Sequence, residues 1–376
     1  MFGKLFRKID WLLVAFIVPI LAAGLVTMKS FTQGEGGPDF FLRQTIWIGI
    51  SLSVFLLFSY IDFRFLKRTK VLVGLFLFFI FILSALFVLG KVSNGAQSWF
   101  NFGGFSFQPV DMMKLVLVLV LAKYFSRRHV EIQNIKHVFI SGLYALIPFV
   151  LVFLQPDFGS AMVIFFVWFG MVLVSGISKK HLLLVGVVAL LVFAALWFFV
   201  FVDYQKARIR NFINPLADIH GSGYNVFQST IAVGSGQVVG KGLGFGTQSR
   251  LKFLPEPETD FIFASFAEEW GFIGAAILLI LFVLVIIRIL HISSLGATNF
   301  ETLFGLGLAI FFMTHIVINV GMNIGIFPVT GIPLPFMSYG GSHLLTEFMG
   351  LGILMSLRRF ARSAHRDAMR NEFLGL

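Results

Sequence analysis

The sequence predicts an all-α polytopic membrane protein of about ten transmembrane helices. Both termini are expected on the cytoplasmic side, with a large extracytoplasmic loop between helices 7 and 8. Three observations predict this. The chain is 58% hydrophobic with 49 Phe, and its mean hydropathy is +0.92. Only 12% of its residues are charged, against about 25% in a soluble domain. Apolar runs of the ~20 residues that a spanning helix needs recur along the whole chain.

The first run, at about 11–28, follows the basic start "MFGKLFRKID". No small-residue cleavage site follows it, so it reads as a retained helix rather than a signal peptide. Six more runs follow at about 44–61, 71–90, 110–125, 138–154, 160–177 and 182–202. A long polar stretch, 203–259, then precedes the last three, at about 260–290, 302–325 and 344–357. No soluble domain, low-complexity tract or clear internal repeat interrupts them. Residues 1–376 therefore read as a single transmembrane domain ending in a basic cytoplasmic tail, 358–376.

Lys and Arg orient the helices. One set of connections holds Arg64, Lys67, Arg68 and Lys70, then Lys123, Arg127, Arg128 and Lys136, then Lys179, Lys180 and Arg288. Both ends of the chain join this set. The opposite short loops hold only Arg43 and Lys91, with Lys29 at a helix end. The first set is therefore cytoplasmic, and an even helix count puts both termini there. The net charge of +11 would suggest nucleic acid in a soluble chain. Here the positive-inside bias accounts for it, and no nucleic-acid partner is expected. With no cysteine, disulfides and thiolate metal sites are excluded.

The unusual loops, "NGAQSWFNFGGFSFQPVD", "QPDFGS", 203–259 and "FPVTGIPLPFMSYGGSH", all fall on the outer side. No ATP is available there, so chemistry on that face needs a substrate that carries its own activation, an ion gradient, or neither. Asp260, in "LPEPETDFIF", stands at the lip of an apolar run with Glu256 and Glu258 close by. Thr259 or Asp260 could cap the helix that follows. Alternatively, Asp260 is a general base or ion ligand at the membrane surface, its basicity raised by the neighbouring carboxylates.

Asp111 and Lys114 lie at i and i+3 on one helix face. They are either a self-satisfied ion pair or a lysine presented to an anionic headgroup. Glu268 and Glu269 stand about 12 Å further along the helix from Asp260. With Glu347 and His315 they read as a proton path or as interhelical hydrogen-bond partners, and His315 favours the latter. The glycine-rich "VGSGQVVGKGLGFGTQ", 233–248, lacks P-loop spacing. It is a flexible loop, or backbone N–H groups cradling a phosphate beside Lys241. Arg208 and Arg210 are candidates for a diphosphate. Asp157 in "QPDFGS" is a turn cap or a binding group. Trp99 is an interfacial anchor or a wall on which a sugar stacks.

In this order, "QPVDMMK", "QPDFGSAMV", "NPLADIHGSGYNVFQSTIAVGSGQVVGKGLGFGTQ", "FLPEPETDFIFASFAEEWGFIG" and "PVTGIPLPFMSYGGS" resemble the SEDS family of shape, elongation, division and sporulation proteins. The likeness spans about 91–350 and is closer to the elongation branch than to the division branch. It implies a peptidoglycan glycosyltransferase of the bacterial cytoplasmic membrane, active on its outer face. The implied substrate is lipid II, a disaccharide-pentapeptide on undecaprenyl diphosphate. The implied partners are a class B penicillin-binding transpeptidase and other elongation-complex membrane proteins.

Asp260 matches the family's essential acidic residue, and Lys114 its membrane-level lysine. Several positions depart from the family's pattern. Asp111 stands where Glu is usual, Ser98 where many members have Arg, Glu258 where His is common, and "QPDFGS" replaces the commoner "QPDLGT". The expected reaction has Asp260 take the proton of the acceptor 4-hydroxyl as that oxygen displaces the diphosphate, turning an α-linked donor into a β-1,4 bond. Lys114, with Arg208 or Arg210, stabilises the leaving charge. A Mg²⁺ at the diphosphate can share that task, although no motif requires a cofactor. Asp111, Trp99, Lys241, Glu256 and Asp157 complete the expected substrate site. The rivals are a lipid II flippase with Glu268, Glu269, Glu347 and Lys114 lining its route, a septal glycan polymerase of the division branch, and a non-catalytic scaffold.

Overall fold

A computed structural model describes residues 9–31, 39–93, 96–101, 106–127, 135–199, 201, 203–213, 223–251 and 253–374. Each of the ten predicted apolar runs forms a helix. In order these are α1 (Trp11–Phe31), α2 (Phe40–Tyr60), α3 (Thr69–Leu89), α4 (Pro109–Ser126), α5 (Ile135–Leu154), α6 (Phe158–Val174) and α7 (Lys179–Phe199). After the long loop come α11 (Ile262–Ser294), α12 (Asn299–Asn323) and α13 (Gly341–Leu374). Among the described residues, seven helices are long and apolar enough to cross a membrane, and α6 is a shorter apolar helix of the same kind.

The helix starts follow from local chemistry. Asp39 accepts the Leu42 N–H at 2.9 Å at the start of α2, and Asp157 accepts the Ser160 N–H at 2.9 Å at the start of α6. Pro109 opens α4, where its missing N–H costs nothing. Within 203–259 the described residues include three helices, α8 (Asp203–Ile213), α9 (Tyr224–Ser235) and the single turn α10 (Thr247–Arg250). One departure from the all-helical expectation is a small antiparallel sheet, β1 (Lys91–Ser93), β2 (Ala96–Asn101) and β3 (Ser106–Phe107). It pairs Lys91 with Trp99 and Phe100 with Phe107.

Helices α4 and α12 occupy the centre. α12 packs on α4, α6 and α11, and α13 runs along α2. The most apolar stretch of α12 is 67% buried, whereas that of α7 is 6% buried. The rim helices turn Leu77, Phe81, Leu183 and Phe198 outward, as a lipid-facing surface requires.

Helix α11 is broken at Gly271 (φ 67°, ψ −167°). The break frees backbone groups that lipid cannot satisfy, and the glycine-rich loop satisfies them. Lys241 N–H donates to the Glu268 carbonyl and Gly242 N–H to the Glu269 carbonyl, both at 3.0 Å. Phe272 N–H and Ile273 N–H in turn donate to the carbonyls of Gln237 and Val238, at 2.8 and 3.1 Å. This contact needs bare backbone. A Cβ at Gly240 (φ 85°) would lie 2.1 Å from the Glu269 carbonyl oxygen.

At the end assigned to the cytoplasm, Asp10 joins three helices. It accepts Leu13 N–H at 3.2 Å, Arg288 Nε and Nη2 at 2.8 Å each, and Arg358 Nη1 at 2.6 Å. Burial alone would raise its pKa. The two guanidinium groups and the Leu13 N–H outweigh burial and hold it below the ordinary value. Lys67 pairs with Glu301 at 2.6 Å.

Candidate functional site

Asp260 lies just outside the first turn of α11 and is half-buried. The cap of α11 comes from another helix. Asn323 Oδ1 accepts the Ala264 N–H at 3.0 Å, while its Nδ2 donates to the Asp260 carbonyl at 3.1 Å. Asn319 Nδ2 donates to the same carbonyl at 3.0 Å and to that of Ile332 at 2.7 Å. Two asparagines one turn apart on α12 therefore fix the backbone that carries the carboxylate. Gly331 faces that carboxylate, and a Cβ there would stand 3.4 Å from Asp260 Oδ2. The neighbouring residues are held by the 334–340 segment. Ser338 Oγ donates to the Thr259 carbonyl at 2.6 Å, and Tyr339 N–H to that of Glu258 at 2.8 Å. Glu256 is exposed with φ +44°, and its carbonyl closes the turn onto Phe261 N–H at 3.3 Å.

Lys114 and Asp111 pair at 3.0 Å, and both side chains are almost fully closed from solvent. The pair continues into α13. His343 Nδ1 lies 3.5 Å from Asp111 Oδ1, and its Nε2 lies 3.0 Å from Glu347 Oε1. These are charge contacts without hydrogen-bond alignment. Glu347 Oε2 accepts the Phe336 N–H at 3.0 Å. The ring of His315 lies 4.7 Å from that of His343, and its Nδ1 donates to the Pro333 carbonyl at 3.3 Å. The 330–338 segment thus has Asp260 on one side and the Lys114–Asp111–His343–Glu347 row on the other. Gln108 ties the nearby helix ends together. Its N–H donates to Ser342 Oγ and its side chain to Asp157 Oδ2, each at 3.3 Å.

Other residues expected at the site have different surroundings. Lys241 Nζ, 28% exposed, donates to Glu268 Oε1 at 2.8 Å and Thr247 Oγ1 at 2.9 Å. Glu268 also accepts the Gln248 and Ser249 N–H groups, and Glu269 accepts the Gly244 N–H at 3.0 Å. Four amides of the stretch that sequence offered as a phosphate cradle, those of Lys241, Gly242, Gly244 and Gln248, donate instead to α11. Among the described residues, Glu268 and Glu269 form one cluster with the glycine-rich loop, and Asp111 and Glu347 another around His343. Asp157 caps α6 and holds Gln108. Trp99 lies half-buried in β2, next to buried Ser98. Arg210 is exposed near the end of α8, and the side chain of Arg208 lies outside the described residues. Among the described residues, no group of three or more His, Asp or Glu is arranged to hold a metal ion.

Sequence reasoning missed Asn319, Asn323 and His343. Each has a signal at i,i+4 spacing, Asn319 with Asn323 and His343 with Glu347, on helices too apolar to carry such pairs without cause. Chemically, the arrangement offers a fixed carboxylate at the bundle mouth, a buried cation within the same helix cluster, and an apolar cavity along α11. The cavity, of about 550 Å³, is lined by Val233, Phe263, Ala267, Ala275, Val320 and Ile324.

The family model described as cell cycle protein (FtsW/RodA/SpoVE) matches residues 5–363. The chain is 40% identical to peptidoglycan glycosyltransferase MrdB of Escherichia coli K12 over 286 residues, which is 75% of this chain and 76% of that protein. It superposes on the rod shape determining protein RodA of Thermus thermophilus with a TM-score of 0.70 at 30% identity, covering 94% of this chain and 97% of the other. A chain from a study of "structural coordination of polymerization and crosslinking by a peptidoglycan synthase complex" superposes with a TM-score of 0.79 at 30% identity, covering 94% and 98%.

Proposed function

This chain belongs to the FtsW/RodA/SpoVE family, the SEDS proteins, and on that premise we propose how it works. It is a multi-pass membrane peptidoglycan glycosyltransferase of the cell-elongation type. Its substrate is lipid II, polymerised into β-1,4-linked glycan on the outer face of the bacterial cytoplasmic membrane. Lipid II carries its activation in its own diphosphate bond, which suits a face without ATP. The likeness to MrdB and to a rod shape determining protein supports the elongation role.

The observation that carries the mechanism is the clamp on Asp260. Asn319 and Asn323 fix its backbone, and Gly331 leaves room beside its carboxylate. As the acceptor 4-hydroxyl oxygen attacks the donor anomeric carbon, Asp260 takes the hydroxyl proton. The new C–O bond forms opposite the breaking bond to the diphosphate, which leaves with its electron pair, so the configuration inverts. Lys114, oriented by Asp111, supplies positive charge for the developing phosphate charge. Arg208 and Arg210 serve the same purpose from α8. A Mg²⁺ arriving with the diphosphate would take most of its ligands from phosphate oxygens and water. The apolar cavity beside α11 suits a polyisoprenyl chain. A class B penicillin-binding transpeptidase is the partner in this reading, supported by the likeness to a complex that couples polymerization to crosslinking.

Purified protein with its cognate transpeptidase, in detergent, should convert labelled lipid II into glycan chains. Absence of polymer would sink the reading, whereas lipid transfer between the leaflets of liposomes without polymer would favour a flippase. Loss of polymer on adding a chelator would assign the metal a role.

A further inference from the structure

We propose that His343 is a positioning residue for the Lys114–Asp111 pair, its imidazolium balancing Asp111 against Glu347 and so keeping Lys114 aimed at the leaving diphosphate. The inference rests on the polymerase reading above and goes beyond it. Its observation is the geometry of the ring. Both nitrogens of His343 face carboxylate oxygens, Nδ1 toward Asp111 at 3.5 Å and Nε2 toward Glu347 at 3.0 Å. A neutral imidazole would leave the two carboxylates without a cation between them. The doubly protonated ring sets a positive charge between Asp111 and Glu347.

Charge balance gives the same answer. Lys114, Asp111, His343 and Glu347 are all buried. With His343 neutral and both carboxylates ionised, one lysine would face two negative charges in a dry site. With His343 protonated, the charges match. The other groups facing this ring agree with that state. His315, on α12, directs its Nδ1–H to the Pro333 carbonyl. A second positive charge on a ring 4.7 Å away would be opposed. From α4, Asp111 and, behind it, Lys114 face the ring. From α2, the neutral Gln44 reaches the Ser338 carbonyl at 3.1 Å. Glu347, from α13 itself, is the remaining charge.

The consequence is functional. When the proton leaves His343, Asp111 loses a cationic partner. Lys114 is then drawn more tightly to the two carboxylates and is less available to phosphate. Polymerisation should therefore fall along an alkaline limb that belongs to His343.

The experiment is a pH profile of kcat for lipid II polymerisation by the complex with its transpeptidase, with melting temperatures measured alongside. His343→Gln should lower kcat at neutral pH by about tenfold, the scale of coupling within one charge network, and should abolish the limb. Glu347→Gln should move the limb to lower pH, because a carboxylate that favours the protonated ring is gone. The double variant His343→Gln/Glu347→Gln, again balanced, should recover most of the loss. If His343→Gln keeps both the wild-type rate and the limb, or the limb in Glu347→Gln does not move, the positioning role is wrong while the polymerase reading stands. If the wild type makes no polymer, the polymerase reading fails and the positioning role with it.

Discussion

Asp10 and Asp111 are both buried aspartates at the start of a helix, each facing two cationic side chains from other parts of the chain or the same helix. Their partners differ in kind. Asp10 is gripped by Arg288 and Arg358, at 2.6–2.8 Å, with well-aligned guanidinium hydrogen bonds. Arginine stays charged at any relevant pH and matches a carboxylate with a rigid fork. Asp111 faces Lys114 at 3.0 Å and His343 at 3.5 Å, a point charge and a ring that titrates. The first is a fastener that joins α1, α11 and α13. The second can change its charge and its geometry, which in the proposed function lets it meet a changing substrate charge. The Asp10 cluster is built to hold, and the Asp111 cluster, on that reading, is built to respond.

That contrast can be broken by experiment. The largest effect is expected for Lys114→Met, which should lower the polymerisation rate by about 10²–10³, the cost of removing one group that stabilises developing charge. Rates measured on folded protein check this. An unchanged rate would reduce Asp111–Lys114 to a fastener like Asp10. Next is Asp10→Asn. It should destabilise the protein by about 2 kcal/mol, since charged hydrogen bonds to two arginines are lost, and leave the rate per folded molecule unchanged. A melting curve with parallel kinetics separates the two effects.

The smallest effect is the acid response. The folded pKa of Asp10 lies below its unfolded value. Its contribution is therefore complete above the ordinary aspartate pKa of about 3.9 and is lost as pH falls through the lower folded value. The wild-type melting temperature should drop in that window, and Asp10→Asn should show a shallower drop.

The helices were legible because lipid imposes a composition that few other environments tolerate. The runs at 11–28 and 71–90 needed only hydropathy. The positions of Asp111 and Lys114 on one face followed from helical spacing, and their ion pair was one of the readings available. Other features depend on contacts between distant segments. "VGSGQVVGKGLGFGTQ" has glycines that suit either an anion cradle or close backbone packing, and sequence cannot choose between them. The broken helix at Gly271 chooses packing, because its freed backbone groups need partners. Nothing in "AEEWGFIG" announces that break. The strands at 91–107 are too short and too glycine-interrupted to show alternation. His343 ends the outer loop "FPVTGIPLPFMSYGGSH" and gains meaning only when α4 brings Asp111 against it. Asp260 was visible as an acidic residue at a helix mouth, while the asparagines that hold it come from sixty residues away in the chain.

The central claim is that one carboxylate, fixed by α12 at the mouth of the bundle, activates the acceptor hydroxyl. The most direct test compares wild type with Asp260→Ala in lipid II polymerisation beside the cognate transpeptidase, with melting temperatures to show that both are folded. The account predicts glycan chains from the wild type and none from a folded Asp260→Ala. Normal polymerisation by folded Asp260→Ala would contradict it.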